Sequence, residues 1–453
     1  MFKNFKKRES NKSRIIDKLW EEIFDDYNVL DVIEEDGLFK ITSTEIGKYK
    51  EARLMTKFDY VSQLPDIFYN NHLTIMPIKR GEYAIGHFDA YYEYDSKITD
   101  DYLIKDRVEM PFPSWIESLD IDNITSESAM LNAAIAGNLL NDLLEIDEDD
   151  IPLLTVDGRM SSLDFSFNIG HLLNSNKNYR LEVENSQMEI DGGYETHDKL
   201  ILIEAKNNVT DSFITRQLYY PFQRWIKEVN KEVIPIFLQY SNNTFNFSVF
   251  RFDDVNSYNS IQLIKRKNYI FGAEHTTIDD LVKVAKETKF KNEPNNIPTT
   301  QADTFARLYN LIYSIWESEN SSVSLEDIAL ENDFSYRQAG YYSNAARYLE
   351  LINKNDDRSF SLSKIGLEFV KATRKERNLI IARQILQYES YNIVFKRALE
   401  LSGYITGPEA YRALVEANYY KRSNDTYSKS TRKRRAGTIS SWVKHLFTLV
   451  DDY

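Results

Sequence analysis

The chain has 453 residues, of which 42% are hydrophobic and 28% charged, so it can form roughly two to four globular domains with cores of their own. It contains no cysteine, which excludes disulfides, cysteine-ligated zinc or iron–sulfur centres and thiol catalysis, and its six histidines are too scattered for a histidine-rich metal cage. The formal net charge is −14, yet residues 297–453 hold 22 Lys and Arg against 19 Asp and Glu, while the remainder holds 34 against 51.

The N-terminal stretch is basic and lacks the apolar segment that defines a secretory signal. No apolar run in the chain approaches the ~18 residues of a membrane span. We therefore expect a cytoplasmic protein with no membrane partner. The abundance of Asn, Lys, Ile and Tyr is typical of an AT-rich bacterial genome and favours a bacterial source.

Residues 1–150 mix short strands and helices, and we assign them to an N-terminal α+β region of unknown role. Leu73–Arg80 and Glu82–Glu93 predict a hairpin, since two β-prone runs flank a glycine turn. Ser126–Leu144 carries Ala and Leu at helical spacing and predicts a buried helix. The acidic run Glu145–Asp150 that follows indicates a solvated loop rather than a metal cluster.

Residues 151–290 predict one compact α/β unit with a mixed sheet flanked by helices. A polar segment with two prolines, residues 288–300, then predicts a linker to a largely helical domain over residues 301–453. The α/β unit should contain strands at Arg180–Glu184, Gln187–Tyr194, Leu200–Lys206, Val233–Tyr240 and Phe245–Phe252, and a helix at Ser212–Val229 kinked by Pro221.

Two of these strands form a hairpin that brings charged side chains together. Because side chains alternate along a strand, Glu204 and Lys206 share a face, and folding about a turn near Glu195–Asp198 places Asp191 beside Glu204. Two carboxylates suit Mg²⁺, to which the backbone carbonyl of Ala205 can add an oxygen. Lys206 can orient a water and stabilise charge on a phosphorane. The alternative is a surface strand with alternating charges.

The set Asp191…Glu204-Ala205-Lys206 resembles the PD-(D/E)XK nuclease motif, in which an Asp precedes a Glu-x-Lys on adjacent strands. The resemblance extends over roughly residues 155–255, and Ile190 stands where the motif has its proline. It implies a PD-(D/E)XK mixed-sheet core that hydrolyses DNA with Mg²⁺, or Mn²⁺ as a substitute.

The same resemblance suggests further residues around the site. Gln217 lies where several such nucleases carry a helical glutamine that faces the active site, so we include it among the catalytic residues. Glu189 and Glu182 are candidate extra acids. Asp198 is a rival for Asp191, but it lies only six residues before Glu204 and falls in the turn.

The C-terminal domain has the element order of a winged helix-turn-helix. The predicted helices are Asp303–Trp316, one opened by the cap at Ser324–Ala329, and Tyr336–Leu349, and a small hairpin ends at Phe360–Leu362. A recognition helix of this kind can enter the major groove, although such domains also serve protein contacts. Its polar, DNA-facing residues would be Arg337, Gln338, Tyr341, Asn344 and Arg347.

The segment Arg337–Leu351 is similar to the winged helix found in some type II restriction endonucleases. Near the C-terminus, Ser428–Gly437 contains five basic residues and predicts a loop ahead of a closing helix at Ser440–Leu449. This loop either contacts phosphates through Lys433 and Arg434 or is only a solvated basic loop.

A nuclease core joined to a sequence reader predicts a type II restriction endonuclease that cuts double-stranded DNA. An acidic body that holds metal carboxylates, with a mildly basic C-terminal part, is compatible with this function. Cutting both strands suggests a homodimer on DNA, and a cognate methyltransferase is an expected companion. Two alternatives remain open: a DNA-binding regulator with an inert nuclease-like core, and a repair nuclease that reads DNA structure.

Overall fold

The chain is an α/β protein with a large mixed sheet and a helical C-terminal region. Within the part that can be described, no helix is long and apolar enough to span a bilayer. The computed structural model describes residues 15–94, 107–122, 124–147, 149–272, 275–294, 296–297, 302, 304–318, 322–332, 334–423 and 427–450.

The N-terminal unit combines short helices with a three-stranded antiparallel sheet whose middle strand is β3. The predicted hairpin is confirmed. Gly81 closes it with a φ of +76°, a backbone conformation that is strained for residues with a side chain and is readily adopted by glycine. Its second strand ends early, at Gly86. The elements are α1 (Ile15–Asp26), α2 (Val29–Asp36), β1 (Leu38–Thr42), α3 (Ser43–Ile46), α4 (Ala52–Thr56), α5 (Asp66–Asn70), β2 (Thr74–Lys79), β3 (Glu82–Gly86) and β4 (Tyr91–Glu93).

The segment from residue 107 to residue 272 forms the central sheet and the helices that cover it. Its elements are β5 (Val108–Met110), α6 (Glu127–Ala136), α7 (Leu139–Leu144), β6 (Leu153–Ser161), β7 (Phe165–His171), β8 (Asn174–Val183), β9 (Gln187–Glu195), β10 (Lys199–Lys206), β11 (Ser212–Ile214), α8 (Arg216–Glu228), β12 (Glu232–Ser241), β13 (Thr244–Phe252) and β14 (Ile261–Phe271).

The sheet has seven strands in the order β5-β14-β13-β12-β10-β9-β6. Strand β10 is antiparallel to β9 and parallel to β12, because α8 crosses over between β10 and β12. Alternate residues of β10 pack on opposite faces. Leu200 and Leu202 face the core shared with α8 and the N-terminal unit, whereas Ile201 and Ile203 face α6 and α7. This alternation directs Glu204 to the α8 face.

Two predicted helices differ from those observed. The helix over Ser126–Leu144 is interrupted at Gly137, where a Cβ would lie 2.1 Å from the Phe271 ring, and the chain resumes as α7. The helix over Ser212–Val229 starts only at Arg216, because the β-prone residues before it form β11 and pair with β4. Helix α8 then continues through Pro221.

The C-terminal helices enclose a second core, and a short hairpin lies at its edge. The elements are α9 (Ile278–Glu287), α10 (Phe305–Glu317), α11 (Leu325–Glu331), α12 (Tyr336–Tyr348), β15 (Ile352–Lys354), β16 (Phe360–Leu362), α13 (Lys364–Lys371), α14 (Arg374–Leu386), α15 (Glu389–Glu400), α16 (Gly407–Glu416), α17 (Tyr419–Arg422) and α18 (Lys429–Thr448).

Helix α9 and the segment after it pack on these helices rather than on the sheet. Leu281 and Val284 of α9 lie in the C-terminal core, although the prediction grouped this helix with the α/β unit. The predicted linker contains Glu293, whose carboxylate accepts hydrogen bonds from Tyr348 (2.9 Å), Tyr419 (3.0 Å), Ser390 (2.6 Å) and Arg435. This group, the Glu293 cluster, ties the segment to four elements.

Candidate active site

The hairpin of β9 and β10 brings Asp191 and Glu204 to neighbouring positions. Ile203 of β10 pairs with Gly192 of β9, so the next residues along each strand are Glu204 and Asp191. The pairing of β9 with β10 ends there, and the backbone N–H of Ala205 donates to the Asp191 carboxylate at 2.8 Å instead. Since the N–H and C=O of one residue leave a strand on the same side, the Ala205 carbonyl points toward the same gap.

Glu204 is the centre of a buried polar group. Its Oε1 accepts from Lys206 Nζ and from Gln217 Nε2, each at 2.6 Å. The Glu204 side chain is 9% exposed and that of Lys206 15%. The predicted proximity of Asp191, Glu204, Lys206 and Gln217 is therefore observed, with Gln217 in the first turn of α8 rather than farther along it.

Burial and their mutual contact shift the pKa values of both Glu204 and Lys206. Burial raises the pKa of Glu204 to about 8, even though Lys206 acts in the opposite direction. Burial also acts to lower the pKa of Lys206, but Glu204, Tyr60, Glu127 and Asp191 outweigh it and hold that pKa well above its usual value. Its acidic neighbours therefore favour the protonated, positively charged form of Lys206.

Glu127 is a third acid at the site that the sequence analysis did not identify. Its Oε1 lies 3.7 Å from Lys206 Nζ, and it is the first residue of α6, which Ser126 caps by accepting from the Ala129 N–H at 3.1 Å. Burial raises the pKa of Glu127, and Lys206 lowers it. The capping serine followed by an acid was visible in the sequence. Nothing in the sequence indicated that this helix end meets β10.

Two glycines that follow Asp191 allow neighbouring elements to pack closely against its strand. A Cβ on Gly193 would lie 2.7 Å from the Cβ of Val156 and 3.1 Å from its carbonyl oxygen, where β6 bulges against β9. A Cβ on Gly192 would lie 3.1 Å from Leu131 of α6. The Asp-Gly-Gly sequence thus lets β6 and α6 approach the strand that carries the carboxylate.

The site opens into a cleft with a volume of about 1530 Å³. The N-terminal unit contributes five cations to the lining of this cleft, and we call them the cationic wall. Four acids from Asp122 and from α10 and α11 also line the cleft, and we call them the acidic lining. The cationic wall consists of Lys50, Arg53, Lys57, Lys79 and Arg80, and the acidic lining consists of Asp122, Glu317, Glu326 and Asp327.

The residues fit a divalent cation. Glu204 is a buried carboxylate whose charged form burial disfavours, and a cation beside it would reverse that preference. The Gln217 Oε1 is buried without a hydrogen-bond partner in the structure as described. Among the described residues no cluster of three or more Asp, Glu, His or Cys can hold a metal ion, but Mg²⁺ commonly takes one or two carboxylates and keeps several waters.

The remaining candidate acids lie farther from Glu204. Glu189 lines the same cleft and forms an ion pair with Arg159 at 3.4 Å. Glu182 is exposed on β8 and pairs with Ser166 of β7, outside the cleft lining. Asp198 lies in the turn at the far end of β10 and pairs with Lys199 at 2.6 Å. In the predicted acidic loop, Asp150 is held by His197 at 2.7 Å.

The predicted recognition helix is observed as α12, with Ser335 and Gln338 forming the predicted capping box. The Gln338 Oε1 therefore accepts a hydrogen bond from the Ser335 N–H at 2.9 Å. Arg337 is exposed, stacks on the Tyr341 ring and donates to its hydroxyl at 2.5 Å. The other two members of the polar face, Asn344 and Arg347, bond to each other at 3.1 Å.

The basic segment near the C-terminus is helical, so the prediction of a loop over Ser428–Gly437 was wrong. Ser428 caps α18, which begins at Lys429, ahead of the predicted closing helix. Because of the helical spacing, some of its basic residues pack against other side chains and others face solvent. Arg432 stacks on the Tyr420 ring and Arg435 bonds to Glu293, whereas Lys433 and Arg434 are exposed.

Fold and site together define an α/β protein with a buried carboxylate–lysine group in a charged cleft. Three models, each described as a domain of unknown function, match successive parts of the chain: DUF6996 over residues 17–85, DUF6997 over 86–270 and DUF7226 over 307–451. None of these descriptions states an activity. No curated protein and no solved structure matched the chain.

Proposed function

We propose that this protein is a Mg²⁺-dependent deoxyribonuclease of the PD-(D/E)XK type, and specifically a restriction endonuclease. The observation that carries the proposal is the convergence of Asp191, Glu204 and Lys206 in one cleft, with the Ala205 N–H fixing Asp191 and Gln217 fixing Glu204. The order of strands supports it too, since an Asp on β9 precedes the Glu-x-Lys that ends the adjacent β10.

Each side chain has a defined part in this mechanism. Asp191, Glu204 and the Ala205 carbonyl would hold the metal, which supplies Lewis-acid activation of the scissile phosphate and of a water. Lys206 would place a positive charge beside the scissile phosphate and stabilise the negative charge that develops there, because its pKa is held well above the usual value. Glu127, 3.7 Å from Lys206 Nζ, and Gln217 restrict the directions in which Lys206 and Glu204 can point.

Sequence selection belongs to the same proposal. Helix α12 and the β15–β16 hairpin follow α10 and α11 in the order of a winged helix-turn-helix, which is why we propose that the C-terminal domain reads bases in the major groove. Its polar face lies outside the lining of the active-site cleft. Reading and cutting would then occur on different parts of the duplex, or on two subunits of a homodimer.

Incubation with plasmid DNA in Mg²⁺ tests the proposed function directly. We expect discrete fragments with Mg²⁺ or Mn²⁺ and intact DNA in excess EDTA, because hydrolysis needs the ion that the two carboxylates would hold. Undiminished cutting in EDTA would refute the metal-dependent mechanism. Binding of DNA without cutting in any divalent metal would favour the regulator with an inert core.

The requirement for Mg²⁺ should depend on pH. Burial raises the pKa of Glu204 to about 8, so below that pH a metal ion must displace a proton from the carboxyl group. The half-saturating Mg²⁺ concentration should fall by up to about tenfold per pH unit between pH 6 and 8, and level off above. Mg²⁺ titrations of the melting temperature over this range measure it, and a pH-independent midpoint would contradict it.

Arg337→Ala should weaken sequence-specific binding. If the exposed Arg337 guanidinium contacts a guanine, its loss costs about 1–3 kcal/mol, while binding to unrelated DNA should change little. Arg397→Ala is a matched control, since that arginine is also on the surface of the C-terminal domain and forms an ion pair with Glu400 within its own helix. Competition binding against cognate and random duplexes distinguishes the two, and equal losses on both duplexes would make Arg337 a phosphate contact only.

A further inference from the structure

The N-terminal unit had no assigned role, yet it supplies most of the positive charge at the cleft. Of the residues that line the cleft between Ile15 and Tyr83, the cations are those of the cationic wall and the single acid is Asp59. The acidic lining, by contrast, consists of Asp122 and of three carboxylates on α10 and α11, and the described residues of these two helices add no cation to the lining. The charge of the lining is therefore segregated by structural unit, with most cations on the N-terminal unit.

The cations of the wall are available to a ligand. Arg53, Lys57, Lys79 and Arg80 are exposed and Lys50 is partly exposed. Lys79 forms an exposed ion pair with Glu184 at 3.0 Å, which is weak in water and exchanges readily for a phosphate. Lys57 lies close enough to the site to lower the pKa of Glu127, the acid beside Lys206.

Hydrogen bonds join the two segments that form the cationic wall to each other and connect the wall to the candidate active site. The Ser43 N–H donates to the Gly81 carbonyl at 2.7 Å, which joins the α3–α4 segment to the turn that carries Lys79 and Arg80. Helix α8 makes the second connection, since Tyr220 donates to the Pro77 carbonyl at 2.8 Å. The same helix carries Gln217, which bonds to Glu204. A phosphate held on the wall is thus held at a set position relative to Glu204.

We infer that the N-terminal unit is the surface that holds the duplex, with the cationic wall contacting phosphates beside the scissile one and the acidic lining repelling the duplex from α10 and α11. The inference rests on the proposed function. It follows from charge complementarity with a polyanion, because phosphates are attracted to the unit that supplies the cations and repelled by the helices that supply the carboxylates. Residues 15–94 would therefore set both DNA affinity and the direction of approach.

The test compares two triple variants with the same change in charge. The wall variant is Arg53→Gln, Lys57→Gln and Arg80→Gln, and the control is Lys283→Gln, Lys286→Gln and Lys289→Gln, three exposed cations at or beyond α9 that lie outside the cleft lining. Binding of a short fluorescent duplex is measured in Ca²⁺ over a range of salt concentrations. For the wall variant the slope of log K against log salt should decrease by about 0.9 for each phosphate contact removed, whereas the control should keep the parental slope.

A further variant tests the acidic lining. Glu326→Gln removes one of its carboxylates and should tighten binding of the same duplex several-fold at low salt. An unchanged slope in the wall variant, or an equal decrease in the control, would overturn this inference while leaving Mg²⁺-dependent cutting by the parent intact. Failure of the parent to bind or cut any duplex would overturn the proposed function, and this inference with it.

Discussion

Lys206→Ala should reduce the rate of DNA cleavage by ~10²–10³ or more and leave DNA affinity nearly unchanged. The Lys206 ammonium stays charged at neutral pH and lies 2.6 Å from Glu204, at the point where phosphate charge would develop. A charge that acts mainly on the transition state lowers the rate of the chemical step when it is removed, and it contributes little to ground-state binding. Single-turnover cleavage and an equilibrium binding isotherm on the same preparation measure both quantities.

The matched control for this variant is Lys199→Ala. Lys199 begins the same strand, β10, and pairs with Asp198 at 2.6 Å, at the end of the strand remote from the cleft. It should cut at the parental rate. Because Lys206→Ala leaves the Glu204 carboxyl without its ion pair, the thermal stability of both variants should be recorded alongside. Parental cutting by a folded Lys206→Ala protein would remove this hairpin as the active site.

Asp191→Asn and Glu204→Gln should each bring cleavage below detection and abolish the rise in melting temperature that we expect Mg²⁺ to produce in the parent. Both substitutions keep the shape of the side chain and remove the charge that a divalent cation needs. DNA binding in Ca²⁺ or without metal should be retained or increase, because each variant lacks one negative charge near the phosphates. The thermal shift reports metal binding independently of cutting.

Glu189→Gln is the control for the carboxylate variants. Glu189 lies on the same strand as Asp191 and lines the same cleft, but its carboxylate forms an ion pair with Arg159. We expect this variant to keep its Mg²⁺-dependent thermal shift and its activity. If it loses both, then Glu189 is a metal ligand and the site extends along β9 beyond Asp191.

The hairpin of the candidate site could be predicted because its geometry is local. The two-residue period of strands fixes which side chains of β10 share a face, and a short turn fixes the partner strand. Glu127 and the cationic wall could not be predicted in this way. They reach the site through the packing of α6 on β9 and β10 and through Tyr220 on Pro77, contacts between residues far apart in sequence.

Predictions from amino-acid composition differ from the structure where a charged or polar segment has a buried face. The segment from Lys429 to Arg435 is rich in basic residues, a composition that predicts a loop, but Arg432 and Arg435 are spaced to pack against Tyr420 and Glu293 along one side of a helix. The polar segment 288–300 predicts a linker for the same reason. The partners of its Glu293 lie in α12, α15, α17 and α18, which local sequence does not reveal.

The Glu293 cluster determines where this chain can be divided. A C-terminal fragment that begins at residue 301 would leave Tyr348, Tyr419 and Arg435 facing the space that Glu293 fills, and it would uncover the apolar side of α14 where α9 packs. A fragment beginning just before Ile278 retains both. By the same reasoning, a protease that cleaves ahead of Ile278 should release an intact C-terminal domain, whereas a cut within residues 288–294 should loosen the helix that is proposed to touch the bases.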